Sequence, residues 1–284
     1  MTVDVAVVGS ANLDVVLHVP RMPAAGETIL GSGYAEATGG KGANQALASA
    51  RLVQTAFVGT VGTDAAGSRI RQGLVSAGVD VEFLASGSTP TGRAFIPVTP
   101  DAENSIVVLP MANSTVEAES VTRALTSLRP AVVLCQLEIP LAAVVAAALW
   151  AAANRARFIL NPSPVADVPA EVLALADPLI VNAGEARDIL RSDTRDLQEL
   201  CTALTRVARS AVVTGGADGA WVASHDENSG VEGIRAVPVD TTGAGDIFAG
   251  TLAAELASGS SLAEAAGRAN RLAAQAVELA RSER

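Results

Sequence analysis

The chain has 284 residues, of which 49% are hydrophobic and 18% charged, a balance that excludes a disordered, collagen-like or coiled-coil protein. Twenty Lys and Arg residues against 30 Asp and Glu residues give a net charge of -10. The chain therefore lacks the excess of positive charge that binds the phosphates of a nucleic acid, and no nucleic-acid partner is expected. We expect residues 1–284 to form one large α/β domain.

Short β-branched runs alternate with alanine-rich helical patterns, as in parallel βαβ units. The predicted strands occupy residues 3–8, 55–59, 131–134, 158–160, 179–181 and 211–214. The predicted helices occupy residues 41–51, 67–77, 116–127, 141–153, 186–190 and 197–209, and two long helices begin near Gly243 and Leu262. This order predicts an α/β fold with a mostly parallel sheet.

Two segments, residues 13–37 and 92–109, interrupt this alternation with strand patterns and Pro/Gly turns but no helix. They are expected to pair as a small antiparallel sheet. Because such a sheet has few residues to cover both faces, we expect it to lie over the main sheet as a lid or to pack against another copy.

The two cysteines, Cys135 and Cys201, have no Cys or His at metal-ligand spacing, and we expect both to be core thiols in a reducing cytoplasm. The start of the chain reads as a first strand rather than a secretion signal. The apolar run 141–153 is too short to span a bilayer, so no membrane association is expected.

The strongest local motif is DTTGAGD at 240–246, which precedes an apolar helix. Small residues allow backbone N–H groups to converge at a helix N-terminus, where they can hold an anion. Asp246 in the first turn could accept a proton from a substrate hydroxyl. The alternative is that Asp246 only caps the helix.

Other polar or glycine-rich segments follow predicted strands or open helices. The cluster GGKGANQA at 39–46 lets a backbone approach a ligand closely, although it is neither a P-loop nor a dinucleotide fingerprint. The turn at 9–14, Glu138 and the glycine turn at 214–219 follow strands, where ligands bind in parallel sheets. The segments at 9–14 and 214–219 could instead be ordinary turns. Glu138 lies between apolar neighbours, where a carboxylate needs a polar partner or water.

Asn182 and Glu185 follow the strand predicted at 179–181. They could cap the next helix, or they could order Mg²⁺ waters and phosphate oxygens. His18 and His225 lie outside any polar cluster, which argues against a Ser-His or Cys-His hydrolase.

Taken in order, these segments resemble the ribokinase-like (PfkB) family of carbohydrate kinases over nearly the whole chain. The resemblance rests on GGKGANQA, on Asn182-x-x-Glu185, on Thr214-x-Gly216-x-x-Gly219 and on DTTGAGD. It implies a doubly wound sheet, a small β lid that often forms a homodimer contact, and the use of ATP and Mg²⁺.

The resemblance also implies roles for individual residues. It makes Asp246 the base, with an anion hole at Gly243, Ala244 and Gly245. The implied sugar-binding residues are Asn12, Asp14, Gly40, Lys41, Asn44 and Glu138. The implied nucleotide-binding residues are Asn182, Glu185, Thr214, Gly216, Gly219, Gly245 and Asn270. Glu185 is assigned to the phosphate and Mg²⁺ network.

Phosphoryl transfer needs mainly alignment and charge neutralisation, which backbone amides, Mg²⁺ and one carboxylate can supply. Asp, Asn, Lys and Glu suit a substrate with several hydroxyls, and an aromatic content of 3% argues against a stacked nucleobase as acceptor. The first expectation is ATP-dependent phosphorylation of the 5-hydroxyl of D-ribose. Alternatives are a related kinase for another sugar or a nucleoside, or a sugar-binding protein with weakened catalysis.

The resemblance further implies a monovalent-cation site that begins with Asp240 and Thr242 and that members of the family usually complete with a glycine-containing segment after the last helix. This chain has no glycine after Gly267. K⁺ activation is therefore expected to be weak or absent.

Overall fold

The computed structural model describes residues 3–101 and 103–279. Its strands are β1 (Val5–Val8), β2 (Asn12–His18), β3 (Gly33–Gly39), β4 (Thr55–Gly62), β5 (Leu84–Gly87), β6 (Gly92–Val98), β7 (Val107–Leu109), β8 (Val132–Cys135), β9 (Arg157–Leu160), β10 (Leu179–Asn182), β11 (Ser210–Thr214), β12 (Ala220–Ser224) and β13 (Asn228–Val231). Its helices are α1 (Lys41–Ala50), α2 (Ala65–Ser76), α3 (Ala118–Leu128), α4 (Leu141–Asn154), α5 (Ala170–Leu173), α6 (Ala183–Leu190), α7 (Leu197–Leu204), α8 (Ala244–Ala257) and α9 (Leu262–Val277).

A nine-stranded sheet has the order β13-β12-β11-β10-β9-β8-β1-β4-β5. The strands from β11 to β5 are parallel, whereas β12 pairs antiparallel with β11 and β13 pairs antiparallel with β12. Every strand predicted for this sheet is present, and the mixed α/β fold with a mostly parallel sheet is confirmed.

Apolar side chains cover both faces of this sheet. In β1, Val5 and Val7 pack into one buried cluster, while Ala6 and Val8 pack into another. Because successive strand residues point to opposite faces, this division requires helices on both sides. Residues of α1, α2, α8 and α9 join the first cluster, and residues of α3, α4, α6 and α7 join the second. This arrangement agrees with a doubly wound sheet.

The sequence prediction missed several short elements. It did not identify β5, α5 or the hairpin of β12 and β13, because each is short and β13 has the sequence NSGV, with only one β-branched residue. The helix predicted to reach residue 209 ends at Leu204. Beyond the helix, the Arg209 N–H donates to the Ala176 carbonyl oxygen, 2.9 Å away, just before the chain enters β11.

A second sheet has the order β3-β2-β6-β7, and its strands lie almost entirely within the two interrupting segments. The expectation of a purely antiparallel sheet was wrong, because β2 and β6 pair in parallel from Asn12 opposite Gly92. Both strands leave the main sheet in the same direction, and β3 and β7 add antiparallel edges. Residue 102, within one of these segments, lies outside the described residues.

Both cysteines are free and buried, as expected for core thiols. Burial raises the pKa of Cys135 far above its ordinary value and the pKa of Cys201 to about 12. His18 and His225 are both exposed. In residues 3–101 and 103–279, we find no helix with the length and apolar character that a membrane crossing requires.

Candidate active site

The candidate site lies at the carboxyl edge of the parallel strands. Asn161 follows β9, Asn182 ends β10 and Thr214 ends β11, so their side chains leave the sheet at one edge. Residues of these three strand ends line a cavity of about 150 Å³ together with Lys41, Glu185 and Asp246. The sheet therefore brings together groups that are far apart in the sequence.

Asp246 lies in the first turn of α8 and is 7% exposed. Its Oδ2 accepts a hydrogen bond from Asn44 Nδ2 at 2.9 Å, and its Oδ1 accepts one from Gln45 Nε2 at 3.0 Å. Burial raises the pKa of Asp246, whereas the charge of Lys41 and the two amide donors oppose that rise and the charge of Glu138 adds to it. The Asp246 side chain is thus held by α1 rather than by its own helix.

Close packing of α1 on α8 makes this contact possible. A Cβ atom on Gly250, one turn after Asp246, would lie 2.2 Å from the Gln45 carbonyl oxygen. Since any larger side chain would push the helices apart, the glycine allows Asp246 to reach two adjacent amides of α1.

The expected sugar-binding residues Asn12 and Asp14 lie on β2 and are both buried. A Cβ atom on Gly39 would lie 2.2 Å from Asp14 Oδ2, so the carboxylate lies directly against this glycine. Gly40, the N-cap of α1, has a φ of 88°, a value that glycine adopts readily. The GGKGANQA segment therefore turns next to β2.

Glu138 approaches the same turn from the loop after β8. Its Oε2 accepts hydrogen bonds from the Lys41 main-chain N–H at 3.0 Å and from the Ser10 hydroxyl. Although its neighbours in the sequence are apolar, Glu138 therefore has the polar partners that a carboxylate in such a setting needs.

Four buried or half-buried amide side chains in or behind the site were not identified from the sequence. Gln45 and Gln136 are fully buried, Asn113 is 1% exposed and Asn161 is half-buried. Gln136 and Asn161 directly follow β8 and β9, so the strand-end rule that selected Glu138 could have found them. Asn113 follows a strand of the second sheet, and no local pattern marks it.

Five expected nucleotide-binding residues line a second, more apolar cavity of about 290 Å³. They are Thr214, Gly216, Gly219, Gly245 and Asn270. Ile234, Ala273 and Val277 contribute apolar walls. Thr214, Gly245 and Phe248 line both cavities, so the two hollows adjoin at the start of α8.

The first turn of α8 only partly matches the expected anion hole. Gly243 precedes the helix with a φ of 79°, and the exposed Gly245 lies in its first turn. The Ala244 N–H, however, donates to the Thr241 carbonyl oxygen at 3.2 Å. This amide would have to leave Thr241 before it could hold an anion.

Asn182 and Glu185 form a capping box at the start of α6. The Glu185 N–H donates to Asn182 Oδ1 and the Asn182 N–H donates to Glu185 Oε2, both at 2.9 Å. The capping role is therefore real. Both residues also line the smaller cavity, so a ligand role is compatible with it.

Asp240 and Thr242 lie next to each other before α8. Asp240 Oδ1 accepts the Thr242 N–H at 2.8 Å, and the Asp240 N–H donates to the Val277 carbonyl oxygen at 3.2 Å. Residues 280–284, on which the expectation about K⁺ rests, lie outside the described residues. Within the described residues, no group of three or more His, Cys, Asp or Glu side chains could hold a metal ion.

Comparison with known proteins gives a consistent family. The chain is 35% identical over 251 residues to ribokinase of Haemophilus influenzae, covering 86% of this chain and 82% of the relative. It is 30% identical to deoxyribokinase of Salmonella typhi, covering 88% of this chain and 84% of that protein. The structure of Arabidopsis thaliana ribokinase complexed with ribose and ATP superposes with a TM-score of 0.88 and 30% identity, covering 98% of this chain and 94% of that one.

The family model "pfkB family carbohydrate kinase" matches residues 3–282. A match of this extent covers the strand ends, both adjoining cavities and the buried carboxylate at the start of α8. The chain belongs to the pfkB family of carbohydrate kinases, enzymes that transfer a phosphoryl group to a hydroxyl.

Proposed function

We propose that this enzyme transfers the γ-phosphoryl group of ATP to the 5-hydroxyl of D-ribose, with Asp246 as the general base. One observation carries the proposal. The buried Asp246 carboxylate, which accepts hydrogen bonds from the side chains of Asn44 and Gln45, lines the smaller cavity. This cavity adjoins the larger, apolar cavity at the start of α8. An acceptor hydroxyl and a phosphate donor could meet there without water between them.

The acceptor would lie against the glycine turn before α1. Asn12, Asp14, Lys41, Asn44 and Glu138 offer both donors and acceptors around that turn, which matches a molecule with hydroxyls on several carbons. Gly40 would let the main chain approach the sugar where a side chain would block it. The similarity to ribokinases supports ribose as this acceptor.

Asp246 would take the proton of the 5-hydroxyl as the oxygen attacks phosphorus. Each carboxylate oxygen can accept more than one hydrogen bond, so Asn44 and Gln45 leave capacity for the substrate. Removal of a general base slows such reactions by about 10²- to 10⁴-fold.

The donor would occupy the cavity of about 290 Å³, with its base against Ile234, Ala273 and Val277 and near Asn270. Thr214, Gly216, Gly219 and Asn182 would approach its phosphates. The first turn of α8 would hold developing charge through the Gly243 and Gly245 amides, and through the Ala244 amide once it leaves Thr241.

Cations would complete this arrangement. Mg²⁺ retains several waters and binds through one or two carboxylates together with phosphates, and Glu185 in the cavity wall fits that requirement as a ligand through water. Bound Mg²⁺ supplies neutralisation of the phosphate charge. Asp240 and Thr242 are the candidate ligands for a monovalent cation. We expect similar turnover in K⁺ and in tetramethylammonium salts, in line with weak or absent K⁺ activation. A large stimulation of turnover by K⁺ would contradict that expectation.

The second sheet would act as a lid and as the contact between two subunits in a cytoplasmic homodimer. Support comes from its exposed apolar residues Val107, Val108 and Tyr34, which no other part of the described chain covers. Val107→Glu would then give a monomer in sedimentation experiments, whereas Val75→Glu on α2 would not. Dimers in both variants would contradict the contact.

A 2-deoxy sugar is the second candidate acceptor, favoured by the similarity to a deoxyribokinase. A panel of ribose, 2-deoxyribose, fructose and adenosine in a coupled ADP-release assay separates these substrates. Turnover highest with ribose supports the proposal. Turnover of another acceptor without turnover of ribose contradicts it.

Asp246→Asn tests the base. We expect turnover to fall by about 10²-fold or more while sugar binding, measured by calorimetry, is retained. The matched control is Asp196→Asn, because Asp196 also lies at a helix N-terminus and Asn caps helices equally well. Unchanged turnover in Asp246→Asn would remove Asp246 from the mechanism.

A further inference from the structure

A continuous chain of amide side chains leads from the main sheet to Asp246. Asn161 Nδ2 donates to the Ile180 carbonyl oxygen at 3.0 Å, and Gln45 Nε2 donates to Asn161 Oδ1 at 3.1 Å. The same Gln45 nitrogen donates to Asp246 Oδ1 at 3.0 Å. On the other side of Gln45, its Oε1 accepts from Gln136 Nε2 at 2.6 Å.

The Ile180 carbonyl determines the direction of every bond in this chain. A carbonyl oxygen can only accept, so Asn161 must turn its NH₂ towards Ile180 and its oxygen towards Gln45. Gln45 must then turn its NH₂ towards Asn161, which also directs that NH₂ to Asp246. This orientation therefore does not depend on whether Asp246 carries a proton.

Gln136 follows the same direction. Its Nε2 faces Gln45, and its Oε1 is buried with no hydrogen-bond partner among the described residues. An unpaired buried acceptor costs free energy. The orientation of Gln136 is imposed by Gln45, whose Oε1 can only accept a hydrogen bond.

We propose that Gln45 is a positioning residue that keeps Asp246 as a carboxylate ready to accept the substrate proton. The inference rests on the proposed role of Asp246. An NH₂ group donates but cannot accept, so it stabilises the carboxylate and offers nothing to the hydroxyl of a protonated acid. Gln45 contacts Asp246 and would act on the reaction through that carboxylate.

Other charged groups also face Asp246. Lys41 at the start of α1 favours the carboxylate, and Glu138 in the loop after β8 opposes it. Glu185 at the start of α6 lines the same cavity. None of these groups belongs to the chain of amide side chains. A change of Gln45 alone therefore separates the effect of that chain on the ionisation of Asp246 from the effects of the charged groups.

The experiment measures kcat/KM for the sugar against pH in wild-type enzyme, Gln45→Met and Gln136→Met. Gln45→Met keeps the side-chain length but removes the donor. We expect its kcat/KM to fall below that of wild type at acid pH, by up to about 10-fold, since a hydrogen bond to a charged group is worth about one factor of ten, and to approach the wild-type value as the pH rises. Gln136→Met retains the Gln45 donor and should keep the wild-type pH profile.

A merely structural role would give a different pattern. Equal losses of kcat/KM at all pH values would overturn the proposal. The same loss of kcat/KM at acid pH in both Gln45→Met and Gln136→Met would also overturn it. Titration of the ATP phosphates is common to all variants and cancels in the comparison. If Gln45→Met does not fold, Gln45→Leu replaces it, because leucine also removes the donor without adding a charge. A loss of kcat/KM confined to acid pH in Gln45→Leu supports the proposal, and a wild-type pH profile refutes it.

A direct titration distinguishes failure of this inference from failure of the proposed function. The carboxyl carbon of Asp246 can be followed by nuclear magnetic resonance and identified by its absence in Asp246→Asn. In Gln45→Met it should titrate at higher pH than in wild type, even if Asp246 were not the base. An unshifted titration would refute the role of Gln45, and active Asp246→Asn enzyme would refute the function instead.

Discussion

The Asn113 side chain donates a hydrogen bond from its Nδ2 to Asn12 Oδ1 over 2.7 Å, between residues 101 positions apart. Asn113 Oδ1 accepts the Ala11 N–H at 2.9 Å, which determines the orientation of the Asn113 amide. Asn12 Oδ1 must therefore accept the hydrogen bond from Asn113. The NH₂ group of Asn12 is then the group that could donate to a sugar hydroxyl.

Asn113→Asp reverses this relationship. The aspartate still accepts the Ala11 N–H, but its second oxygen repels Asn12 Oδ1, so the Asn12 amide turns and presents its oxygen to the sugar. We expect the KM for ribose to rise about 10-fold, the usual effect of one mismatched buried hydrogen bond, with a smaller change in kcat. Ser114→Asp adds the same charge at an exposed neighbour without this contact, and an equal KM change there would contradict the interpretation.

Gly243 and Gly245 should tolerate substitution by alanine differently, because only Gly243 has a positive φ. Gly243 has a φ of 79° with no close contact, so Gly243→Ala should lose about 1 kcal/mol of unfolding free energy through backbone strain. Turnover should fall about 10-fold or more because the α8 amides are redirected. Gly245 lies within the helix in open space, so Gly245→Ala should leave stability equal or higher. Denaturant unfolding and initial rates measure both, and equal stability losses would contradict this distinction.

Glu185 combines a capping role with a proposed role near Mg²⁺. Glu185→Gln retains a capping-box side chain but removes the charge, so thermal stability should be nearly unchanged while the Mg²⁺ concentration for half-maximal rate rises several-fold. Glu264→Gln is the matched control, because Ser261 and Glu264 form the same box at the start of α9. A Mg²⁺ effect of similar size in the control would contradict a local role for Glu185.

Asp246 should reduce stability at neutral pH. Burial raises its pKa in the folded protein, so its stability contribution is fully present below the unfolded pKa and is lost as the pH rises through the folded pKa. Asp246→Asn has no such titration. The unfolding free energy of wild type relative to Asp246→Asn should therefore fall as the pH rises above the ordinary pKa of an aspartate and through the raised pKa of Asp246. Denaturant unfolding across that range measures it, and a difference independent of pH would show that the pKa of Asp246 is not raised.

The sequence alone determined the repeating strand–helix pattern and most of the polar positions. Buried parallel strands need continuous β-branched runs, and helix starts near ligands need glycine, so both features are local and readable. The central strands, the turn before α1 and the Asp246 segment could be predicted for this reason. The parallel pairing of β2 with β6 and the short edge strands could not, because partner choice is not encoded within a short segment.

Only the tertiary structure decided which polar groups meet. Asn44 and Asp246 are 202 positions apart, and they touch because Gly250 allows α1 to pack closely on α8. Gln45 and Asn113 look like ordinary amides in the sequence. Their importance comes from burial and from the direction that fixed carbonyl and N–H groups impose on their hydrogen bonds, and these properties exist only once the distant segments have packed together.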